Sequence, residues 1–310
     1  MSAIPLWLSR YTLRVLGLII NADDFGQTSG INRAVLELHQ AGVLTSATMM
    51  ANAEATAEAI EIALAMPTLG IGCHIVLTDG TPILRPDQVP SLINGSSGHF
   101  IPSLPGFLSH VFTGKLRPAE IEAEVKAQIQ HLQSRGVRVV HVDTHKHIHM
   151  FPRLLRPILR AARACGIRSI RKPFEPLWSV RATGSVSFTR MAQVNLLRCL
   201  QPTWQAILAE EGFATTDGTL GIAATGVLNT ANLHSILRQA PAGLWELVTH
   251  PGYNDSDLAR IPTALRASRE IERQALYGVQ ESGIFELTSF DALTPQPSQR
   301  CSPSGYPILY

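Results

Sequence analysis

Short apolar runs alternate with helix-forming segments along most of this chain, and that alternation limits the fold more than any other feature. Runs at 15–20, 44–50, 69–76, 137–140, 166–170, 244–250 and 284–288 read as strands. Segments starting at 29 and spanning 53–65, 118–134, 152–164, 191–211, 230–239 and 264–277 read as helices. Apolar runs without polar alternation, such as the first, are buried on both faces, as strands of parallel sheets are. The βαβα rhythm predicts an α/β fold, a (β/α) barrel-like parallel sheet in the form of an irregular seven- or eight-stranded TIM-type barrel. A length of 310 residues with 45% hydrophobic content fits one large α/β barrel as easily as two smaller domains. Seven or so strands fit a barrel better than an open sheet, and the expectation is a single domain over 15–291. Residues 82–114, rich in Pro, Gly and Ser, read as a long insertion over one end, a lid or substrate wall. Residues 292–310 read as a disordered tail.

A net charge of +2 and a 16% charged fraction leave no electrostatic footprint for nucleic acid. Arg153, Arg156, Arg160, Arg163, Arg168, Arg171 and Lys172 form a local basic concentration, read as the solvated face of a helix and its following turn. Cys73, Cys165, Cys199 and Cys301 show no CxxC spacing, which suits a reducing cytoplasm and argues against a thiolate zinc site. Arg10 and Arg14 interrupt the apolar N-terminus, unlike a signal peptide, and no apolar run reaches the length of a membrane span. The expectation is a soluble cytoplasmic protein, with peripheral contact to a lipid-linked substrate left open. No oligomeric interface is legible.

The chemistry concentrates at strand ends. His141-Val-Asp-Thr-His-Lys-His-Ile-His149 holds four of the eleven histidines, and in extended geometry His141, Asp143, His145, His147 and His149 would share one face. Imidazoles with a carboxylate are what a divalent metal needs, whereas the alternative is a solvated polar loop. Asp23 and Asp24 follow the first strand at the edge where α/β proteins place their chemistry. Adjacent carboxylates stay ionised most easily beside a cation, although such a pair can also cap the next helix. His74 and His250 also end predicted strands. A parallel barrel would bring all these positions to one rim.

Asn21-Ala-Asp-Asp-Phe-Gly26, Gly72-Cys-His-Ile-Val-Leu-Thr78, the histidine cluster and His250-Pro251 together resemble the YdjC-like carbohydrate deacetylases, a group that includes chito-oligosaccharide deacetylases. The resemblance runs from about 15 to about 287, its first and third motifs being specific in combination. It implies a barrel-like fold and one divalent metal ion, magnesium or zinc, held by Asp24, His74 and His145. It further implies Asp23 as general base and His250 as the opposing acid, with Asp143, His147, His149 and His141 orienting ligands or touching substrate. A narrower resemblance, to the hopanoid-biosynthesis-associated branch, rests on Leu77-Thr-Asp-Gly-Thr-Pro82, His145-Lys-His147 and Arg171-Lys-Pro-Phe-Glu-Pro176. It implies a lipid-linked N-acetylglucosamine as substrate. Two other readings stand beside the deacetylase: a binuclear amidohydrolase or phosphoesterase, because HxH pairs occur, and a non-catalytic sugar-binding homologue.

Overall fold

The computed structural model describes residues 16–293 apart from 185, 187 and 284. Its elements run β1 (Leu16–Phe25), α1 (Ser29–Gln40), β2 (Ser46–Met49), α2 (Thr56–Ala65), β3 (Gly70–Ile75), α3 (Leu104–Phe112), α4 (Pro118–Gln133) and β4 (Val139–Thr144). A 3-10 segment, His145–Met150, leads into α5 (Pro152–Ala164), α6 (Leu177–Ala182), α7 (Phe188–Leu197), α8 (Gln201–Glu211) and β5 (Gly218–Leu220). The chain continues through α9 (Thr230–Arg238), β6 (Gly243–Thr249), α10 (Ser256–Ala259), α11 (Arg266–Tyr277) and β7 (Glu286–Leu287). Residues 294–310, most of the expected tail, lie outside the described residues, while Ala292 and Leu293 belong to a 3-10 turn, Phe290–Leu293.

The strand order is β4-β3-β2-β1-β6-β5, and every pairing in the sheet is parallel. β7 takes the N-terminal half of β1, opposite Gly17 and Leu18, below the point where β2 joins it at Asn21. Isolated parallel bridges, Val142 with Ile170 and Ser169 with Ala214, carry the path beyond β4 towards the segment just before β5. The sheet is therefore curled and barrel-like. The strand expected at 166–170 survives only as these bridges.

β1 is buried on both faces, as expected, but the two faces differ. Leu18, Ile20 and Ala22 join the main apolar core beneath the helices. Asn21 and Asp23, on the alternate face, enter a buried polar network. The apolar core thus lies between sheet and helices, and the concave side of the curl is polar towards the strand ends. Lower down it is closed by Phe290, whose ring stacks on His141 at 3.6 Å between centroids and 9° between planes. Gly72 makes that stack possible, since a Cβ there would sit 2.4 Å from His141 Cε1.

The insertion is not structureless. Its apolar side chains Val89, Leu92, Phe100, Ile101, Phe107 and Val111 are buried, and it contains α3. Glu124 on α4 accepts from the backbone N–H groups of Ile83 and Leu84 at 2.9 and 3.0 Å, and Glu120 from Ser91 at 2.7 Å. The helix expected over 191–211 is broken by a 3-10 turn at Arg198–Leu200, because Pro202 has no N–H with which to continue the preceding helix. Among the described residues no helix is long and apolar enough to cross a membrane.

Because a Cβ at Gly72 can be accommodated only by displacing a packed ring, Gly72→Ala is expected to cost about 1–3 kcal/mol in denaturant unfolding. An unchanged midpoint would mean that the His141–Phe290 stack yields freely.

Candidate metal and catalytic site

Consecutive residues of a strand normally point to opposite faces, so Asp23 and Asp24 should not share a site. They do because β1 is irregular here. Its register against β2 shifts between Ala22 and Phe25, and Asp24 takes the left-handed φ of 63°. Asp tolerates that conformation better than most residues. Gly26, at φ 94°, completes the turn where a Cβ would lie 3.2 Å from the Met50 carbonyl oxygen. The cap of α1 is Thr28, whose side chain accepts from Ile31 N–H, so neither aspartate is needed as a helix cap.

Asp24 is buried, and its two oxygens face different partners. Oδ1 lies 3.5 Å from His74 Nε2 and 3.4 Å from His145 Nδ1. Oδ2 accepts from Arg269 at 2.5 Å. His74, near the end of β3, stands opposite Asp143 of β4 in the sheet register, and Asp143 Oδ1 is 2.8 Å from His74 Nδ1. A proton held there leaves Nε2 with its lone pair facing Asp24, an arrangement typical of metal-binding histidines. Burial disfavours a charged His74 ring. Asp143, Asp23 and Asp24 outweigh it and push the pKa up to about 9. The pocket thus calls for positive charge at that position.

Asp24, His74 and His145 offer donor atoms that all lie within 4.8 Å of one another. Donors about 2.1 Å from a tetrahedral ion stand roughly 3.4 Å apart, close to the two separations measured from Asp24 Oδ1. The three residues fit a divalent cation. A second donor group, Asp23, His74 and Asp143, shares His74, but both its carboxylates already pair with Arg171.

Arg171 corrects the sequence reading. The sequence places it on a solvated basic face, yet it is fully buried at the end of the short 166–170 segment. Its Nη1 and Nη2 donate to the two oxygens of Asp23 at 2.8 and 2.7 Å, and its Nε donates to Glu246 at 2.8 Å. Asp143 is a third ion-pair partner. Asn21 and Thr48 each donate to Asp23 Oδ1 at 2.9 Å. Burial alone would raise the Asp23 pKa, but Arg171, with His74 and His250, holds it well below the usual carboxylate range. Burial has the upper hand at Glu246, whose pKa rises to about 7 despite Arg171.

His250 follows β6, which runs in register with β1 up to the Ala22–Thr249 pair. Its Nε2 is 3.9 Å from Asp23 Oδ2, and its backbone N–H donates to Glu272 of α11 at 2.7 Å. Burial lowers its pKa to about 4, against the opposing pull of Asp23 and Asp24.

The remaining histidines do not share one face. β4 ends at Thr144, and the segment after it turns through positive φ at Lys146 and His147, 59° and 51°. Only His141 and Asp143 therefore alternate as strand residues. His141 has no polar partner among the described residues and packs on Phe290. His149 is a brace: its Nδ1 meets the Thr144 hydroxyl at 2.7 Å, and its Nε2 the Arg171 carbonyl at 3.1 Å. Burial, reinforced by Arg171, lowers its pKa to about 3. Burial also holds His147 well below its ordinary value. Its Nδ1 is buried and unpartnered among the described residues, and its ring meets His149 edge-on at 6.4 Å. Lys146 pairs instead with Asp79, another non-glycine residue at positive φ, on the loop after β3.

Sequence reasoning missed Glu246, Arg269 and Glu272 as members of this site and misplaced Arg171. The position of Arg171 directly after a predicted strand was the available signal. The two α11 residues carry none, since a charged residue on an amphipathic helix reads as solvated.

A family model described as YdjC-like protein matches residues 17–282. The carbohydrate deacetylase of Thermoanaerobacter pseudethanolicus is 29% identical over 259 residues, 84% of this chain and 90% of that protein. The carbohydrate deacetylase of Brevibacillus brevis is 41% identical over 145 residues, 47% of this chain, and that match spans 55% of the relative's length. A solved structure from Enterococcus faecalis, described as a "putative cellobiose-phosphate cleavage protein", aligns with a TM-score of 0.71 at 27% identity, covering 91% of this chain and all of that one. With most of its length matched by that model, the chain belongs to the YdjC-like protein family.

Proposed function

We propose that this protein is a metal-dependent carbohydrate N-deacetylase. It would hydrolyse the acetamide of an N-acetylated amino sugar to acetate and the free amine, within a catalytic domain spanning 15–291. The observation that carries the reading is the grouping of Asp24, His74 and His145 around one point, with Asp23 and His250 beside it. The names of the relatives support the carbohydrate class.

An amide is a poor electrophile, so its hydrolysis needs an activated water and a stabilised oxyanion. A divalent cation held by Asp24, His74 and His145 would supply both, acidifying a water and polarising the acetyl carbonyl; zinc brings a water from 15.7 to about 7, and magnesium is the other candidate. Asp23 takes the water proton. Its pairing with Arg171 keeps it ionised beside a second carboxylate and fixes its Oδ2 3.9 Å from His250 Nε2. So low a pKa makes Asp23 a weak base, and the transfer therefore depends on the cation acidifying the water. His250 Nε2, carrying a proton, delivers it to the amine nitrogen as the C–N bond breaks. Asp143 keeps His74 in the tautomer whose Nε2 faces the cation.

The binuclear alternative is disfavoured because Arg171 is already paired with both carboxylates a second ion would need. Among the described residues both HxH pairs are also divided: His145 faces Asp24, and His149 is bonded to Thr144 and Arg171.

Acetate release should be measured after chelation and add-back of zinc or magnesium, on chitobiose-type sugars and on a lipid-linked, hopanoid-type N-acetylglucosamine. His145→Ala is expected to abolish tight metal binding and turnover together. Asp23→Asn should keep metal affinity by calorimetry yet lower kcat by roughly 10²- to 10⁴-fold. Full activity in either variant would refute the site.

Arg171→Met would leave Asp23, Asp143 and Glu246 buried without their cation, and about 3–5 kcal/mol of unfolding free energy should be lost at neutral pH. The depressed Asp23 pKa stabilises the native state above the unfolded-state value and ceases to do so as pH falls through the folded one. The variant lacks that contribution, so its deficit against wild type should narrow on acidification. A deficit independent of pH would assign the loss to packing.

A further inference from the structure

α11 turns an unusual face inward. Besides Ser268, Ala275 and Leu276 it buries Arg269, Glu272 and Arg273, and the first two of these charged residues, three positions apart, lie on one side of the helix. Two charges on an inner helix face are costly unless each meets a partner. Arg269 meets Asp24. Glu272 is 1% exposed, and among the described residues it forms no ion pair with Arg269.

What Glu272 meets is His250. Its Oε2 accepts the His250 backbone N–H at 2.7 Å and lies 3.8 Å from His250 Nδ1. Glu272 Oε1 and His250 Nδ1 are both buried, and neither has a hydrogen-bond partner among the described residues. The carboxylate oxygen nearest Nδ1 is the one that holds the backbone N–H, at 3.8 Å from the ring nitrogen, and the Gly226 N–H also faces this carboxylate. The opposite nitrogen, Nε2, faces Asp23.

We propose that Glu272 is the positioning residue of His250. By holding the backbone N–H and Nδ1, it sets the ring with Nε2 towards the scissile bond and supplies countercharge to the imidazolium that donates to the leaving amine. The proposal rests on the deacetylase reading above. In the donating step the Nε2 proton passes to nitrogen, the C–N electron pair stays on that nitrogen, and the imidazole returns to its neutral form beside Glu272. Glu272 touches neither reacting atom.

The electrostatics agree with this pairing. Burial lifts the Glu272 pKa to about 7, against the His250 N–H and Arg269, and burial lowers that of His250 to about 4. The ring is also faced by Asp23 and Asp24 from β1 and by Arg171 and Arg269. Burial thus disfavours the charged form of each member.

The test uses the full-length zinc-loaded protein, acetate release from di-N-acetylchitobiose, and the variants Glu272→Gln, His250→Ala and their combination. Gln keeps an acceptor for the His250 N–H and removes the charge. Glu272→Gln is expected to lower kcat by roughly 10- to 100-fold with KM little changed. In the His250→Ala background the same change should have an effect of less than about twofold. Equal losses in both backgrounds, or no loss in the first, overturn the proposal. A second readout does not depend on turnover: nitrogen-15 NMR of histidine should show His250 as the Nδ1–H tautomer, with its titration shifted to lower pH in Glu272→Gln. An unchanged tautomer and midpoint would overturn the proposal whatever the kinetics. If that coupling appears but wild type releases no acetate, the deacetylase reading fails and the pairing stands.

Discussion

The buried guanidinium of Arg171 is the interaction on which the polar side of this sheet depends. Asp23, Asp143 and Glu246 arrive from β1, β4 and β6, and Arg171 contacts all three. Without it these carboxylates would repel one another in a medium that cannot screen them. With it, three strands are held in a fixed relation, β1 and β4 near their C-terminal ends and β6 at its middle, and Asp143 can present its other oxygen to His74. The planar fork of arginine suits that task, since two of its nitrogens take both oxygens of Asp23 while the third reaches Glu246. One cation does not neutralise three carboxylates. The remaining demand for positive charge appears in the raised pKa of His74; at Glu246 burial is the main cause of the rise, and Asp23 and Asp143 add to it.

A second constraint is backbone geometry. Arg171 fixes Asp23, but the site needs Asp24 on the same side, and a regular strand forbids that. The register shift in β1 and the left-handed Asp24 solve the problem at a cost of order 1–3 kcal/mol in local strain. Asp24 then divides its oxygens between Arg269 and the two histidines. The paired aspartates therefore have different work despite their adjacency: one is locked to arginine, and the other turns one oxygen to the histidines.

The sequence made legible what is local or periodic. The positions of β1 to β4, β6, α4, α5 and α11 follow from runs whose pattern is set by neighbours along the chain. The four strand-end positions Asp24, His74, His145 and His250 were readable for a related reason: parallel strands deliver their ends to one rim whatever lies between them. Elements without a pattern were lost. β5 is three residues long, and α3 hides in a segment whose glycines and prolines read as loop. The face shared by His141 and His149 was an error of a different kind. It extended strand periodicity past Thr144, where positive φ at Lys146 and His147 ends the strand. Arg171 was misjudged because an arginine shows its charge in the sequence but not its partners, which lie 148 residues upstream at Asp23 and 75 downstream at Glu246.

α11 matters because of what the strands leave unset. The strands set the reacting groups along one rim but do not by themselves orient side chains where a strand turns irregular or stops. Asp24 and His250 both stand in that position, one at the irregular end of β1 and the other just after β6. α11 lies behind both, and its buried Arg269 and Glu272 meet them one turn apart. A helix is stiff over one turn, so the spacing of these two charges fixes the spacing of the groups they hold. The sheet thus sets which residues meet, and the helix behind it sets the angle at which two of them do.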